Sequence, residues 1–285
     1  MPLQIQSAQI KPGATNTFNF TDQITQRMVG ISAFSLSYGN TDHHVQTISV
    51  SLSVNQSGSS LAITAHATMV DASGNNLDPA SSYVNVVALA WVGVDDSNLK
   101  LGNVSGIVNG GSSSPITIPG TDPNVLQAAL AGYYLSYGGT DHHMETACAA
   151  VGTTLSGNTA SINGTVYMYD DTGHGNVSGT VDAGLVANCD PSLGNFVRGT
   201  NTLQNNTQKV TFGKPFAHYT PFLSSYKVQY RDNSDHHVKT FSVSLSVQSV
   251  SGSDVTVTGA AKLIDNSGHV QDDGVSNVSG FIVGT

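Results

Sequence analysis

Three copies of the triplet Asp-His-His stand in this chain, at Asp42-His43-His44, Asp141-His142-His143 and Asp235-His236-His237, and they hold six of its ten histidines. Carboxylate next to imidazole is the raw material of two chemistries. One is metal ligation, since a His/Asp set suits Zn²⁺ or another first-row divalent ion. The other is sugar recognition, in which a carboxylate accepts from two hydroxyls, imidazole donates or accepts, and an aromatic ring packs on the apolar sugar face. A tyrosine precedes each triplet (Tyr38, Tyr137, Tyr230), so the groups for a sugar site lie close together as Tyr38, Asp42, His44; Tyr137, Asp141, His143; and Tyr230, Asp235, His237.

On an extended strand, side chains alternate between faces. Asp42 and His44 then share one face and His43 takes the other, so a flat strand cannot chelate one metal with the whole triplet. The alternative metal set is therefore His43, His142 and His236 with an aspartate from a second recurring motif. That motif reads Asp71-Ala-Ser-Gly, Asp170-Asp-Thr-Gly and Asp265-Asn-Ser-Gly, and its Asp lies 29, 29 and 30 residues after the triplet's Asp. Such a sequence is also what a hairpin turn requires, with Gly for positive φ and Asp to accept main-chain N–H. If the units surround a common axis, three histidines could instead converge there. A bland reading stands beside these: strand histidines can pack on tyrosine and bond a neighbouring carbonyl, and duplicated units share residues by common origin.

The triplets start 99 and 94 residues apart. A period of this size implies one domain built three times. The expected units are 1–112, 113–205 and 206–285, with the Gly/Ser-rich stretches 109–114 and 199–207 as linkers. Within each unit, alternating segments such as Val238–Val247 and Val255–Ile264 read as strands with one buried face. Ser-Gly pairs at 57–58, 156–157 and 251–252 mark hairpin turns. About five antiparallel strands per unit predict an all-β fold of three tandem antiparallel β-sandwich repeats, either as beads or around a pseudo-threefold axis. One or two helical turns are expected only at 124–131. Trp91 lies in an apolar run and reads as core.

Charged residues make up 10% of the chain, against about 25% in ordinary proteins. Net charge is −9 with ten basic residues and no basic cluster, which argues against nucleic acid as a partner. No apolar run approaches the ~18 residues of a membrane-spanning helix, so membrane insertion is not expected. The N-terminal MPLQIQSAQIKPG lacks the basic start and apolar core of a secretory signal peptide. The Ser/Thr/Asn-rich composition nevertheless fits an extracellular or surface-exposed protein. Cys148 and Cys189 read either as one disulfide or as two thiols. Catalytic motifs are missing, and Glu145, the single glutamate, has no counterpart in the other units. Binding is therefore favoured over catalysis.

The stretch Val210-Thr-Phe-Gly-Lys-Pro-Phe216, followed by Pro221, an alternating strand and the Asp265-Asn-Ser-Gly turn, resembles the H-type lectin domain. The resemblance implies a six-stranded antiparallel sandwich that forms trimers and binds galactose-type sugars near subunit interfaces. Three tandem units would mimic such a trimer in one chain. The Asp-His-His triplet is not a hallmark of that family, so no binding residue is carried over from it. The expected function is multivalent carbohydrate binding, with glycoconjugates as partners and one site per triplet. The alternative is a structural or adhesive assembly protein, such as a virion, tail-fibre or surface component. In that case the triplets would bind a divalent metal or form subunit contacts, within a homo-oligomer if copies associate.

Overall fold

A computed structural model describes residues 2–193 and 195–285. Among these residues the chain is almost entirely strand, with a single 3-10 turn at Pro191–Leu193. No helix in them is long and apolar enough to cross a membrane. Unit 1 contains β1 (Leu3–Ile10), β2 (Thr15–Asn19), β3 (Ile24–Ser37), β4 (Thr47–Ser57), β5 (Ser60–Val70) and β6 (Tyr83–Val92). Unit 2 contains β7 (Leu99–Val108), β8 (Ile116–Thr117), β9 (Val125–Ser136), β10 (Thr146–Ser156), β11 (Thr159–Tyr169) and β12 (Ser178–Asn188). Unit 3 contains β13 (Val197–Gly199), β14 (Thr207–Thr211), β15 (Tyr219–Gln229), β16 (Thr240–Ser251), β17 (Asp254–Ile264) and β18 (Asn277–Gly284).

Each unit thus has six strands rather than five. The pairing pattern also moves the boundaries. Strand β1 pairs β6 beside β3, just as β7 pairs β12 beside β9 and β13 pairs β18 beside β15. Strands β7 and β13 therefore open units 2 and 3, although a division at 112 and 205 leaves them at the ends of units 1 and 2. The Gly/Ser-rich stretches 109–114 and 199–207 lie inside units, between first and second strands, and the junctions are the segments 93–98 and 189–196. Composition misled here because a loop within a sandwich needs the same small polar residues as a linker.

The chain forms three antiparallel six-stranded sheets, and none belongs to one unit. Their orders are β1-β6-β3-β16-β17-β14, β7-β12-β9-β4-β5-β2 and β13-β18-β15-β10-β11-β8. Every unit is a pair of three-stranded half-sheets, and each half-sheet is completed by a neighbour. Unit 1 joins unit 2 through β4 and β9, with Ser49 opposite Tyr134. Unit 2 joins unit 3 through β10 and β15, with Cys148 opposite Lys227. Unit 3 returns to unit 1 through β16 and β3, with Ser242 opposite Ser35. These three seams close the units into a ring.

Strands β3, β9 and β15 meet at the centre, where the second half of β3 is buried on both faces. Phe34, Tyr133 and Tyr226, one from each, pack with ring centroids 5.3–5.5 Å apart. The same central position explains why residues 124–131 are strand β9 and not the expected helical turns. The Ala-rich run has helix propensity, but residues 125–130 pair along β12 and residues 128–131 are buried against the central strands, and such context overrides propensity. All three central strands carry a bulge at the same place, at Ser32, Ala131 and Ser224, which re-aims the chain from the central stack into the ring. Trp91 is core, as expected, and its Nε1–H donates to the Val94 carbonyl at 2.8 Å. Cys148 and Cys189 are free thiols.

Two predictions follow from this exchange of half-sheets. A chain ending at residue 95 exposes two inner sheet edges and Phe34, its one ring of the central stack, so it is expected to be unfolded or associated; a folded monomer by circular dichroism and sedimentation would show that the seams are dispensable. Phe34→Ala should lower stability by about 3–5 kcal/mol, the usual loss for a fully buried phenylalanine, read by denaturant unfolding.

Candidate functional site

The long strands β4, β10 and β16 begin three residues after each triplet, so the triplets lie just ahead of them and not within them. There each triplet pairs with the next unit's segment through isolated bridges. His43 pairs with Val238, Val45 with His142, and Met144 with His236. The hydrogen bonds are reciprocal, for example Val45 N–H to the His142 carbonyl at 2.9 Å and His142 N–H to the Val45 carbonyl at 3.0 Å. The alternation expected of an extended segment holds: Asp42 and His44 face one way and His43 the other. The following residues, Val45, Met144 and Val238, turn inward and are fully buried.

On the first face the three units meet. The rings of His44, His143 and His237 form a nearly equilateral triangle, with centroids 4.5, 4.7 and 4.7 Å apart. Each also faces the carboxylate of another unit's triplet. His44 Nδ1 lies 3.6 Å from Asp141, His143 Nδ1 lies 3.1 Å from Asp235, and His237 Nδ1 lies 3.7 Å from Asp42. Main chain of the second motif holds two of these carboxylates: Ala72 N–H donates to Asp141 Oδ2 at 3.2 Å and Asn266 N–H to Asp42 Oδ2 at 2.9 Å. Burial lowers the His237 pKa, and so does the proximity of His143 and His44. The histidines remain partly open to solvent, with 38–42% of their side-chain surface exposed.

The second face is local to each unit. His43, His142 and His236 point to Asp71, Asp170 and Asp265 of their own unit, at 3.6, 3.0 and 4.0 Å from Nδ1. Their Nε2 atoms contact Thr41, Thr140 and Ser234 hydroxyls at 3.0–3.1 Å. Nε2 of each outer ring is therefore hydrogen-bonded to protein, and in His142 Nδ1 is as well. The hydroxyl sits two residues before each of these histidines, a recurrence that the sequence displays but that was not read as a contact. Unit 3 adds Asp232, 2.8 Å from His236 Nε2, in a turn one residue longer than its equivalents.

The second motif is a hairpin turn and also part of the site. Gly74, Gly173 and Gly268 adopt φ of +90°, +87° and +95°, the left-handed region glycine tolerates. Asp71, Asp170 and Asp265 each accept an N–H across the turn, from Asn75, His174 and His269 at 2.8 Å. Burial alone would raise these carboxyl pKa values. The turn's hydrogen bonds outweigh it and hold all three below the ordinary range. His174 and His269 join the aspartates at 3.0 and 2.5 Å, whereas unit 1 has Asn75.

The tyrosines are the sequence-derived residues that the structure separates from the rest. Tyr38, Tyr137 and Tyr230 are buried beneath the outer histidines, ring centroids 4.7–4.9 Å away. Tyr38 and Tyr230 donate to the carbonyls of His44 and His237 at 3.1 and 2.7 Å. They brace the triplets and present no ring face to a ligand. Exposed aromatic surface lies elsewhere, at the seams. Between units 2 and 3, an open cleft of about 450 Å³ is lined by Glu145, Tyr167, Tyr169, Asp170, Asp171 and Lys227, among others. Tyr167 and Tyr169 lie on β11 with rings 5.1 Å apart, and Tyr169 is 42% exposed. Their Tyr-x-Tyr spacing on a strand is the signal that could have revealed them.

Compared with family models, curated proteins and solved structures, the chain finds no match.

The depressed carboxyls of Asp71, Asp170 and Asp265 make a pH prediction. A group with a folded pKa below its unfolded value of about 3.9 stabilises above that pH, and the contribution disappears as pH falls through the folded value. Thermal stability should therefore fall below about pH 4. Asp265→Asn should flatten part of that fall, which calorimetry between pH 2 and 6 would read as a smaller acid-side slope.

Proposed function

We propose that this protein binds carbohydrate at the seams of its ring, beside the triplets. The supporting observation is the cleft between units 2 and 3. A pyranose ring has an apolar face that packs on an aromatic side chain and equatorial hydroxyls that need acceptors in its plane. Tyr167 and Tyr169 supply the face. Asp171 and Glu145 supply acceptors, and Lys227 across the seam supplies a donor. Burial, followed by the charge of Asp171, raises the Glu145 pKa.

The other seams vary the same surface. At the position equivalent to Lys227, the seam between units 1 and 2 has Tyr134, which is 40% exposed beside Ser49. The third seam has Ser35 opposite Ser242, with Lys262 alongside, and its ring, Tyr83 paired with Ser35, is half-buried. Two seams thus present a more exposed aromatic face than the third. Individual sugar contacts are weak, and several sites on one body raise avidity without new contacts. The resemblance of unit 3 to the H-type lectin domain points to the same class of partner, and a surface or extracellular setting suits it. A second reading, an assembly module held by metal, draws its support from the convergence of His44, His143 and His237.

Glycan-array binding followed by calorimetry tests the proposal. Tyr169→Ala and Tyr167→Ala should each weaken binding about fivefold, since stacking of one aromatic ring contributes roughly 1 kcal/mol, with the melting temperature nearly unchanged. Tyr134→Ala should lower apparent avidity on a dense glycan surface more than affinity for a free sugar. Binding indifferent to all three substitutions, or no glycan bound by the wild type, would refute the seam reading.

A further inference from the structure

We infer that His44, His143 and His237 bind one first-row divalent metal ion, each ligand coming from a different unit and each oriented by the carboxylate of another. The nitrogens already committed to protein partners leave one edge of each inner ring for a metal. Every inner ring directs Nδ1 at an aspartate: Asp141, Asp235 or Asp42. The His143–Asp235 pair is a hydrogen bond at 3.1 Å, and the other two pairs stand at 3.6 and 3.7 Å; a carboxylate accepts, so this placement favours the proton on Nδ1 and leaves the Nε2 lone pair facing away from the pair. Among the described residues no protein group hydrogen-bonds Nε2 of these three rings, in contrast to the outer histidines, whose Nε2 atoms meet Thr41, Thr140 and Ser234. A ring of carboxylate–imidazole pairs with free Nε2 atoms is the arrangement in which a second carboxylate fixes ring orientation and raises ligand basicity.

Geometry agrees. One ligand nitrogen from each ring lies within 4.8 Å of the others. Metal–nitrogen bonds of 2.0–2.1 Å place tetrahedral ligands ~3.3 Å apart, so small ring rotations would close the set. The residues that follow the rings, Val45, Met144 and Val238, are fully buried, whereas the rings keep 38–42% of their side-chain surface exposed, which leaves room for solvent ligands on the ion. Neutral imidazoles select zinc, cobalt, nickel or copper over magnesium or calcium, which prefer oxygen. Two other clusters bring three ligands as close: His142 with Asp170 and His174, and Asp232 with His236 and His269. Neither repeats in unit 1, and their rings are already hydrogen-bonded to turn residues. The inner set is the one to which all three units contribute.

The test uses the full chain, stripped with chelator and dialysed, then titrated with Co²⁺ and Zn²⁺. One ion per chain by elemental analysis, a visible Co²⁺ band and a raised melting temperature are expected. His143→Ala and His237→Ala should abolish all three, whereas His174→Ala should keep them. Asp235→Asn should weaken the metal about 10–100-fold, the usual consequence of losing a carboxylate behind a ligating histidine. Should the alanine variants fail to fold, histidine NMR of the wild type decides, since Zn²⁺ must perturb Nε2 of His44, His143 and His237 and spare His43, His142 and His236. No stoichiometric ion in the wild type, an ion kept by His143→Ala, one lost with His174→Ala, or Zn²⁺ perturbation confined to the outer rings would overturn the inference. Glycan binding by the Tyr169→Ala variant reads a different surface, so the two proposals fail separately.

Discussion

An unpaired strand edge buried in a protein leaves a row of N–H and C=O groups without partners, each costing on the order of 1–3 kcal/mol. Every unit of this chain has two such edges, β3 and β4 in unit 1 and their equivalents in units 2 and 3. Only a neighbour can satisfy them. The seams β4–β9, β10–β15 and β16–β3 do so, and because there are three units with two edges each, pairing ends only when the third unit returns to the first. Ring closure is thus a hydrogen-bonding requirement first. The aromatic stack of Phe34, Tyr133 and Tyr226 fills the space that closure creates.

The functional surfaces are consequences of the seams. Each triplet leads directly into a seam strand, so the ring brings three triplets within hydrogen-bonding reach and their bridges continue the sheet pairing toward solvent. The hairpin turns carrying Asp71, Asp170 and Asp265 close over the same end. Their main-chain N–H groups, as at Ala72 and Asn266, hold the carboxylates that face the inner histidines of another unit. Turn, triplet and neighbour form one polar network in which each carboxylate has a separate task.

Much of this was legible in the residues. Alternation separated His44 from His43, and the Asp-x-Ser/Thr-Gly spacing gave both the turn and its nearness to the outer histidine. These are local properties, set by strand period and by the left-handed φ of one glycine. What was hidden is long-range. His44 meets Asp141 and not Asp42, a pairing that depends on which half-sheet completes which and that no local pattern encodes. The tyrosines illustrate the same limit. Tyr38 sits at a distance from Asp42 that suits a sugar site, yet its ring is buried, and the exposed tyrosines are Tyr134 on β9 and Tyr169 on β11. Unit boundaries failed for a related reason, since β7 and β13 are recognisable as first strands only from their partners β12 and β18.

Fusion of the units into one chain explains which positions repeat and which do not. At the centre, space is shared, so it needs filling only once. Equivalent core positions carry Ile48, Ala147 and Phe241, a wide range of volume, and the large Phe241 packs on Phe34 and Tyr226 at 5.1 and 5.6 Å. Three separate identical chains could not do this, because one residue would have to serve all three positions. At the open end of the ring the constraint reverses. Each inner imidazole must meet a neighbour's carboxylate and each carboxylate a neighbour's imidazole, so changing any one member strands a partner in another unit. A cyclic network of this kind admits no compensating change inside a single unit. The triplet can therefore stay fixed while the very next residue, buried in every unit, changes from Val45 and Val238 to Met144.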